Sequence, residues 1–190
     1  MDSVKYFETI KCEDNEVFNL EYHNKRVANT IAKNFDLSEY IYPINEKLLR
    51  CKVIYNEDEI IDINYFEYKK REIKSFKIVN NNEIEYSKKY LNREELDNLY
   101  NKRDNCDEVI IFKNNLLTDT SIANIAIYYE NIWITPKTPL LYGTTRQRYI
   151  DQGFLKQSDI TLEMLNKASK IALLNAMIDF DVLEDYSFSL

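Results

Sequence analysis

The chain has 190 residues, 45% of them hydrophobic and 30% charged, enough to bury a core as one ordinary domain or two small lobes. Its net charge of −7, with Lys and Arg mixed among Asp and Glu, argues against a nucleic-acid partner. Cys12, Cys51 and Cys106 have no Cys-x-x-Cys spacing, no apolar run approaches the roughly 20 residues of a membrane helix, and the start lacks a signal-peptide core. The expectation is a soluble cytoplasmic protein with free thiols, no disulfide framework, no metal site and no membrane partner.

In chain order, Tyr6–Ile10 and Val17–Leu20 read as short strands around the polar turn Glu13–Asn15. A helix follows from about Glu21 to Phe35, with Val27, Ile31 and Phe35 on one face. Lys47–Tyr55 and Glu59–Glu67 read as paired strands, and Glu72–Val79 and Glu83–Tyr86 as further strands joined by the turn Asn80–Asn82. Arg93–Lys102 has the Leu96, Leu99, Tyr100 spacing of an amphipathic helix, and Asp107–Phe112 reads as a buried strand. Leu116–Thr118, Asn124–Tyr129 and Ile132–Thr135 continue as a meander. Thr144 or Thr145 caps a helix to about Gln152, another helix covers Leu162–Leu165 or beyond, and Ile171–Asn175 is a late strand. Glycine is scarce, with two in the chain, so few places allow positive φ or close backbone approach to a ligand; one of them is Gly143.

Four motifs stand in one order: Lys89-Tyr-Leu-Asn-Arg93, Thr118-Asp-Thr-Ser-Ile-Ala-Asn124, Trp133-Ile-Thr-Pro136 and Leu141-Tyr-Gly-Thr-Thr-Arg146. A lysine amine, a carboxylate 30 positions downstream and a Gly-Thr-Thr turn opening a helix together supply the groups that hold pyridoxal phosphate. Taken singly, each has a plainer reading. Lys89 would be a solvated lysine, Asp119 an Asx turn, Gly143-Thr144-Thr145 a helix start with a capping hydroxyl, and His23 with Arg26 a surface or cap feature. With a single histidine in the chain, His23 has no second imidazole to complete an ordinary catalytic zinc site.

With Phe7-Glu-Thr-Ile10 and Tyr22-His-Asn-Lys-Arg26, this series resembles the class IV aminotransferases, which include branched-chain and D-amino-acid aminotransferases and 4-amino-4-deoxychorismate lyase. The likeness runs from about Phe7 to Met177. Within the family it extends furthest to the lyase, which similarly reads Lys-x-Leu-Asn-Arg (Lys89 to Arg93), Ala-Asn after the carboxylate (Ala123, Asn124), Gly-x-x-Arg-Gln (Gly143 to Gln147) and Asn-Ala near the end (Asn175, Ala176).

The resemblance implies a two-lobed α+β fold of the D-amino-acid aminotransferase type, shortened at the N-terminus, where the family has further strands and a Gly-Asp-Gly before Phe-Glu-Thr. A smaller N-terminal lobe, residues 1–80, and a larger C-terminal lobe, residues 81–190, would hold the cofactor between them, with the crossing within Lys77–Lys89. Lys89 would anchor the cofactor and act as base, with Lys88 as its rival in register. Asp119, where the family has glutamate, would face the ring nitrogen on an arm about 1.5 Å shorter. Arg26, Gly143, Thr144 and Thr145 would hold the phosphate; Ser121, Ala123 and Asn124 would line the cofactor face, with the asparagine satisfying local backbone groups. The implied reaction is elimination of pyruvate from aminodeoxychorismate to give 4-aminobenzoate for folate synthesis, in a homodimer acting on a small molecule. The alternatives are a class IV aminotransferase for a branched-chain or D-amino acid, and a trimmed, non-catalytic relative.

Overall fold

The computed structural model describes residues 3–33 and 35–189. They fall into two units: the described residues of Met1–Lys70 with Lys88–Asn92, and those of Arg71–Ser87 with Arg93–Leu190. The chain passes from one to the other at three places, where the sequence reading sets a single boundary after residue 80.

In the first unit β1 (Tyr6–Glu13) and β2 (Glu16–Val17) form a hairpin through Asp14 and Asn15. With β3 (Leu49–Tyr55) and β4 (Ile60–Glu67) they make an antiparallel sheet in the order β2-β1-β3-β4. Strand alternation buries Ile10 and Cys12 of β1 and Cys51 and Val53 of β3 in one apolar core with Val27 and Ile31. Val27 belongs to helix α1 (Leu20–Thr30), which ends earlier than its apolar spacing predicts. At Ile31 the backbone is extended (φ −130°, ψ 155°), and the Asn24 carboxamide accepts a bond from the Leu37 amide, turning the chain. Phe35 therefore reaches the core from beyond α1, and Leu37 from a 3₁₀ turn at Leu37–Glu39. Residues 88–92 return beside β1: the Phe7 amide donates to Lys89 O at 3.0 Å and the Leu91 amide to Lys5 O at 2.8 Å.

The second unit is built on β5 (Ser75–Asn80), which pairs in parallel with β6 (Glu108–Lys113) across a connection holding α2 (Glu94–Tyr100). The meander continues through β7 (Leu116–Thr120), β8 (Asn124–Tyr129) and β9 (Ile132–Pro136). Then follow α3 (Thr144–Asp151), β10 (Lys156–Ser158) parallel to β9, and α4 (Leu162–Lys167), which Thr161 caps by accepting the Met164 amide. Strand β11 (Lys170–Asn175) pairs antiparallel with β8 and with β12 (Asp179–Leu183), and β13 (Ser187–Ser189) runs parallel to β5. The expected strand at Glu83–Tyr86 does not form. The Asn81 carboxamide accepts the Glu83 and Ile84 amides, and Lys113 Nζ takes the Ile84 carbonyl, so those groups have no ladder to join.

Scarce glycine does not limit positive φ here. Among the described residues nine non-glycine positions have it, including the turn pairs Asp14–Asn15, Asn114–Asn115 and Glu130–Asn131. Five of those six turn residues are Asn or Asp, whose short polar side chains tolerate the left-handed conformation that tight hairpins demand. No helix among the described residues is long and apolar enough to cross a membrane.

Candidate functional site

In the first unit, His23 and Arg26 stand one turn apart on α1, and both reach Glu8, a fully buried carboxylate on β1. Arg26 Nε donates to Glu8 Oε1 at 2.8 Å, its Nη2 donates to Oε2, and His23 Nδ1 lies 2.6 Å from Oε2. Burial pushes the Glu8 pKa up, but the Arg26 charge and the bonds from His23 and Arg26 outweigh it and hold the carboxyl at about 2. Burial foremost, with the Arg26 and Lys89 charges, lowers the His23 pKa against the bond and charge of Glu8, and beside the ionised Glu8 carboxylate Nδ1 is the donor. Arg26 is thus no surface feature: its side chain is 12% exposed and gripped along one edge.

The two candidate lysines make different interactions. Lys88 Nζ donates to Thr30 O, at the C-terminal end of α1, at 2.8 Å. Lys89 Nζ lies over the Phe7 ring, 4.5 Å from its centroid.

In the second unit, Asp119 on β7 and Asn124 on β8 are register partners across a tight turn closed by the Thr120 hydroxyl, which bonds both the amide and the carbonyl of Ala123. Asp119 is 4% exposed and accepts from Asn124 Nδ2 at 2.6 Å and from the Leu141 amide at 2.9 Å. Burial raises its pKa to about 7, against the pull of those bonds and of the Arg146 charge. Asn124 therefore satisfies a backbone group, Leu141 O at 2.8 Å, and the Asp119 carboxylate as well. Ser121 and Ala123 are buried in the same turn, with Ser121 O held by Arg93 Nη2 at 2.9 Å.

Gly143 precedes α3 in an extended conformation (φ −70°, ψ 144°), so it is not there for positive φ; its missing side chain leaves room for Asn124. Thr144 and Thr145 lie inside the first turn instead of capping it, and the α3 N-terminus has no side-chain cap and no acidic residue. The first-turn amides of a helix have no intrahelical acceptors and sit at its positive end. Arg146 is buried, with Nη2 donating to Pro136 O at 2.8 Å and Gln157 Oε1 at 3.1 Å.

The structure thus joins Asp119, Asn124 and Gly143 directly, with Ser121 and Ala123 in the adjoining turn and Thr144 and Thr145 next along the chain. Arg26 and Lys89 belong to the first unit, where Glu8 binds the one and the Phe7 ring lies against the other. Sequence reasoning assigned no role to Glu8, to the Leu141 amide or to Arg146. The signal for Glu8 was present, a carboxylate between apolar residues at a buried strand position, in a motif where only the pattern was used. The donor set suits pyridoxal phosphate: a buried carboxylate whose pKa desolvation raises fits a protonated ring nitrogen, and uncapped amides at a helix start fit a phosphate dianion.

The profile described as Amino-transferase class IV matches residues 62–180. The chain belongs to the class IV amino-transferase family. It is 34% identical over 182 residues to an uncharacterized protein of Haemophilus influenzae, covering 90% of this chain and 96% of that one. A crystal structure from Haemophilus somnus, provisionally named a 4-amino-4-deoxychorismate lyase, superposes with a TM-score of 0.84 at 32% identity, covering 93% of this chain and 98% of that one. A hypothetical aminotransferase of Mycobacterium tuberculosis in its PLP-bound form shares the fold, with a TM-score of 0.76 at 15% identity, over 97% of this chain and 81% of that one. The α+β fold is therefore that of the class IV enzymes, in a chain of 190 residues.

Proposed function

We propose that this class IV family member is a pyridoxal-phosphate-dependent lyase that converts 4-amino-4-deoxychorismate to 4-aminobenzoate and pyruvate, serving folate synthesis. The observation that carries the reading is the Asp119 cluster: a buried carboxylate, fixed by two bonds and raised to about 7, is suited to hold a proton on a ring nitrogen. Lys89 would hold the cofactor through Nζ, and its amine would take the proton from the carbon bearing the substrate's amino group. Arg26, Thr144 and Thr145 bind the phosphate, aided by the backbone after Gly143, and Ser121, Ala123 and Asn124 support the ring side. When bound, the cofactor supplies an electron sink for the charge left on that carbon. The protein acts in the cytoplasm as a homodimer, as in the family.

The lyase is favoured over aminotransfer by the name of the Haemophilus somnus protein and by the Lys89–Arg93, Ala123–Asn124 and Gly143–Gln147 motifs. The deciding experiment incubates the purified protein with aminodeoxychorismate alone, in parallel with amino acids plus 2-oxoglutarate or pyruvate. Formation of 4-aminobenzoate and pyruvate without any oxo acid is expected. Steady aminotransfer with no 4-aminobenzoate moves the protein to the aminotransferases, and no bound cofactor and no turnover marks a non-catalytic relative.

A further inference from the structure

We propose that Lys52 is a specificity-determining residue that receives a carboxylate of the substrate, so that the protein selects amines that also carry a carboxylate. This rests on the reading that Lys89 supplies the reacting amine. Lys52 lies mid-way along β3, directly opposite Thr9 on β1 and Asn64 on β4, so the three side chains form a polar row across one face of the sheet. Its neighbours Cys51 and Val53 point into the core on the other face. The Lys52 ammonium lies 5.4 Å from the centroid of the Phe7 ring, and Lys89 Nζ lies 4.5 Å from the same centroid. Two cationic side chains therefore share one aromatic ring.

The charged groups nearest to Lys52 on this face are engaged elsewhere. Lys11 pairs with Glu13 at 2.6 Å, Arg50 stacks 4.9 Å from the Phe66 centroid, and Asp62, diagonal to Lys52, accepts from Asn64 Nδ2 at 2.5 Å. Among the described residues the Lys52 ammonium has the Phe7 ring and no carboxylate partner. In a chain of net charge −7, a part-buried ammonium left without an anion is unusual, since acidic groups are in excess. Attraction to the Phe7 ring face holds the cation at this place without neutralising it. A carboxylate on the molecule whose amine meets Lys89 would complete the set, with the Thr9 hydroxyl beside it as a further donor.

The test uses the cofactor-loaded protein and compares 4-aminobenzoate with aniline, which lacks the carboxylate, by titration calorimetry. Wild type should prefer 4-aminobenzoate, Lys52→Met should reduce that preference about tenfold, and Lys52→Arg should retain it. An unchanged preference in a folded Lys52→Met protein, or none in wild type, overturns the proposal. If Lys52→Met does not fold, Lys52→Gln is read in the same way. Borohydride trapping and peptide mapping of wild type separates the two levels of inference: a label absent from Lys89 removes the parent reading, whereas a label on Lys89 with an unchanged preference removes only the role of Lys52.

Discussion

The Asn124 carboxamide occupies the space in which a side chain at Gly143 would begin: a Cβ built on Gly143 would lie 1.9 Å from Asn124 Oδ1. Since Asn124 also ties Asp119 Oδ1 to Leu141 O, the glycine, the amide and the carboxylate form one packed unit. The glycine before α3 is thus explained inside the protein, by the demand of a neighbouring side chain for room.

Gly143→Ala should cost about 1–3 kcal/mol, because the methyl group must displace a carboxamide that bonds in two directions. Asn124→Ala should cost a similar amount by leaving Asp119 with one bond fewer in a buried place. The double variant should lose clearly less than the two combined, since removing the carboxamide clears the space. Chemical denaturation of the four proteins measures the coupling. Additive losses would show that the clash is not what forbids a side chain.

Asp119 sets a pH dependence opposite to the usual one for a carboxylate. Its folded pKa, about 7, lies above the ordinary 3.8, so its contribution is fully present below pH 3.8 and is lost as pH rises towards 7. Over that window the cofactor-free protein should lose up to about 1.4 kcal/mol per pH unit from this group. Asp119→Asn, which mimics the protonated form, should flatten the slope. An unchanged profile in Asp119→Asn would mean the carboxyl is already ionised when buried.

Most of the sheet was legible from residue periodicity, because β1, β3, β6 and β8 are long enough for alternation or a continuous apolar run to stand out. Short or polar strands were not. Lys156–Ser158 has no apolar residue, and Ser187–Ser189 is defined by parallel pairing with β5, a partner more than a hundred positions away. The end of α1 was missed because Phe35 continues the helical spacing while occupying the core from beyond the helix. At the candidate site, residue types and order were readable, but partnership was not. Nothing local says that Arg26 grips Glu8 or that the Leu141 amide serves Asp119, since those bonds depend on which strands, helices and loops meet.

Glu8 gives the complementary acid-side prediction. Its folded pKa, about 2, lies below the ordinary 4.5, so its stabilisation is present above pH 4.5 and is lost as pH falls towards 2. Glu8→Gln should remove that part of the acid transition and, near neutrality, cost about 3–5 kcal/mol by leaving the Arg26 charge without its partner. Denaturation curves for both proteins between pH 2 and 7 check the sign and the window. A variant that keeps the full acid transition would assign it to other carboxylates.

The last prediction separates ring chemistry from phosphate binding. Asp119→Ala should reduce turnover on the order of a hundredfold while changing cofactor retention far less, because the carboxylate is assigned to the ring nitrogen. Arg26→Ala and Thr145→Ala should show the opposite bias: the loss of a charge-assisted or hydroxyl bond to phosphate weakens retention by roughly ten- to a hundredfold, with turnover largely restored at saturating cofactor. Pyridoxal, which lacks the phosphate, sharpens the comparison, since its binding should be insensitive to Arg26→Ala and Thr145→Ala. Retention is followed by the absorbance of the loaded protein through dilution, and turnover by product formation at several cofactor concentrations. Equal losses in both assays for all three variants would mean that Asp119, Arg26 and Thr145 act as one structural unit, and that the division of labour assigned to them is mistaken.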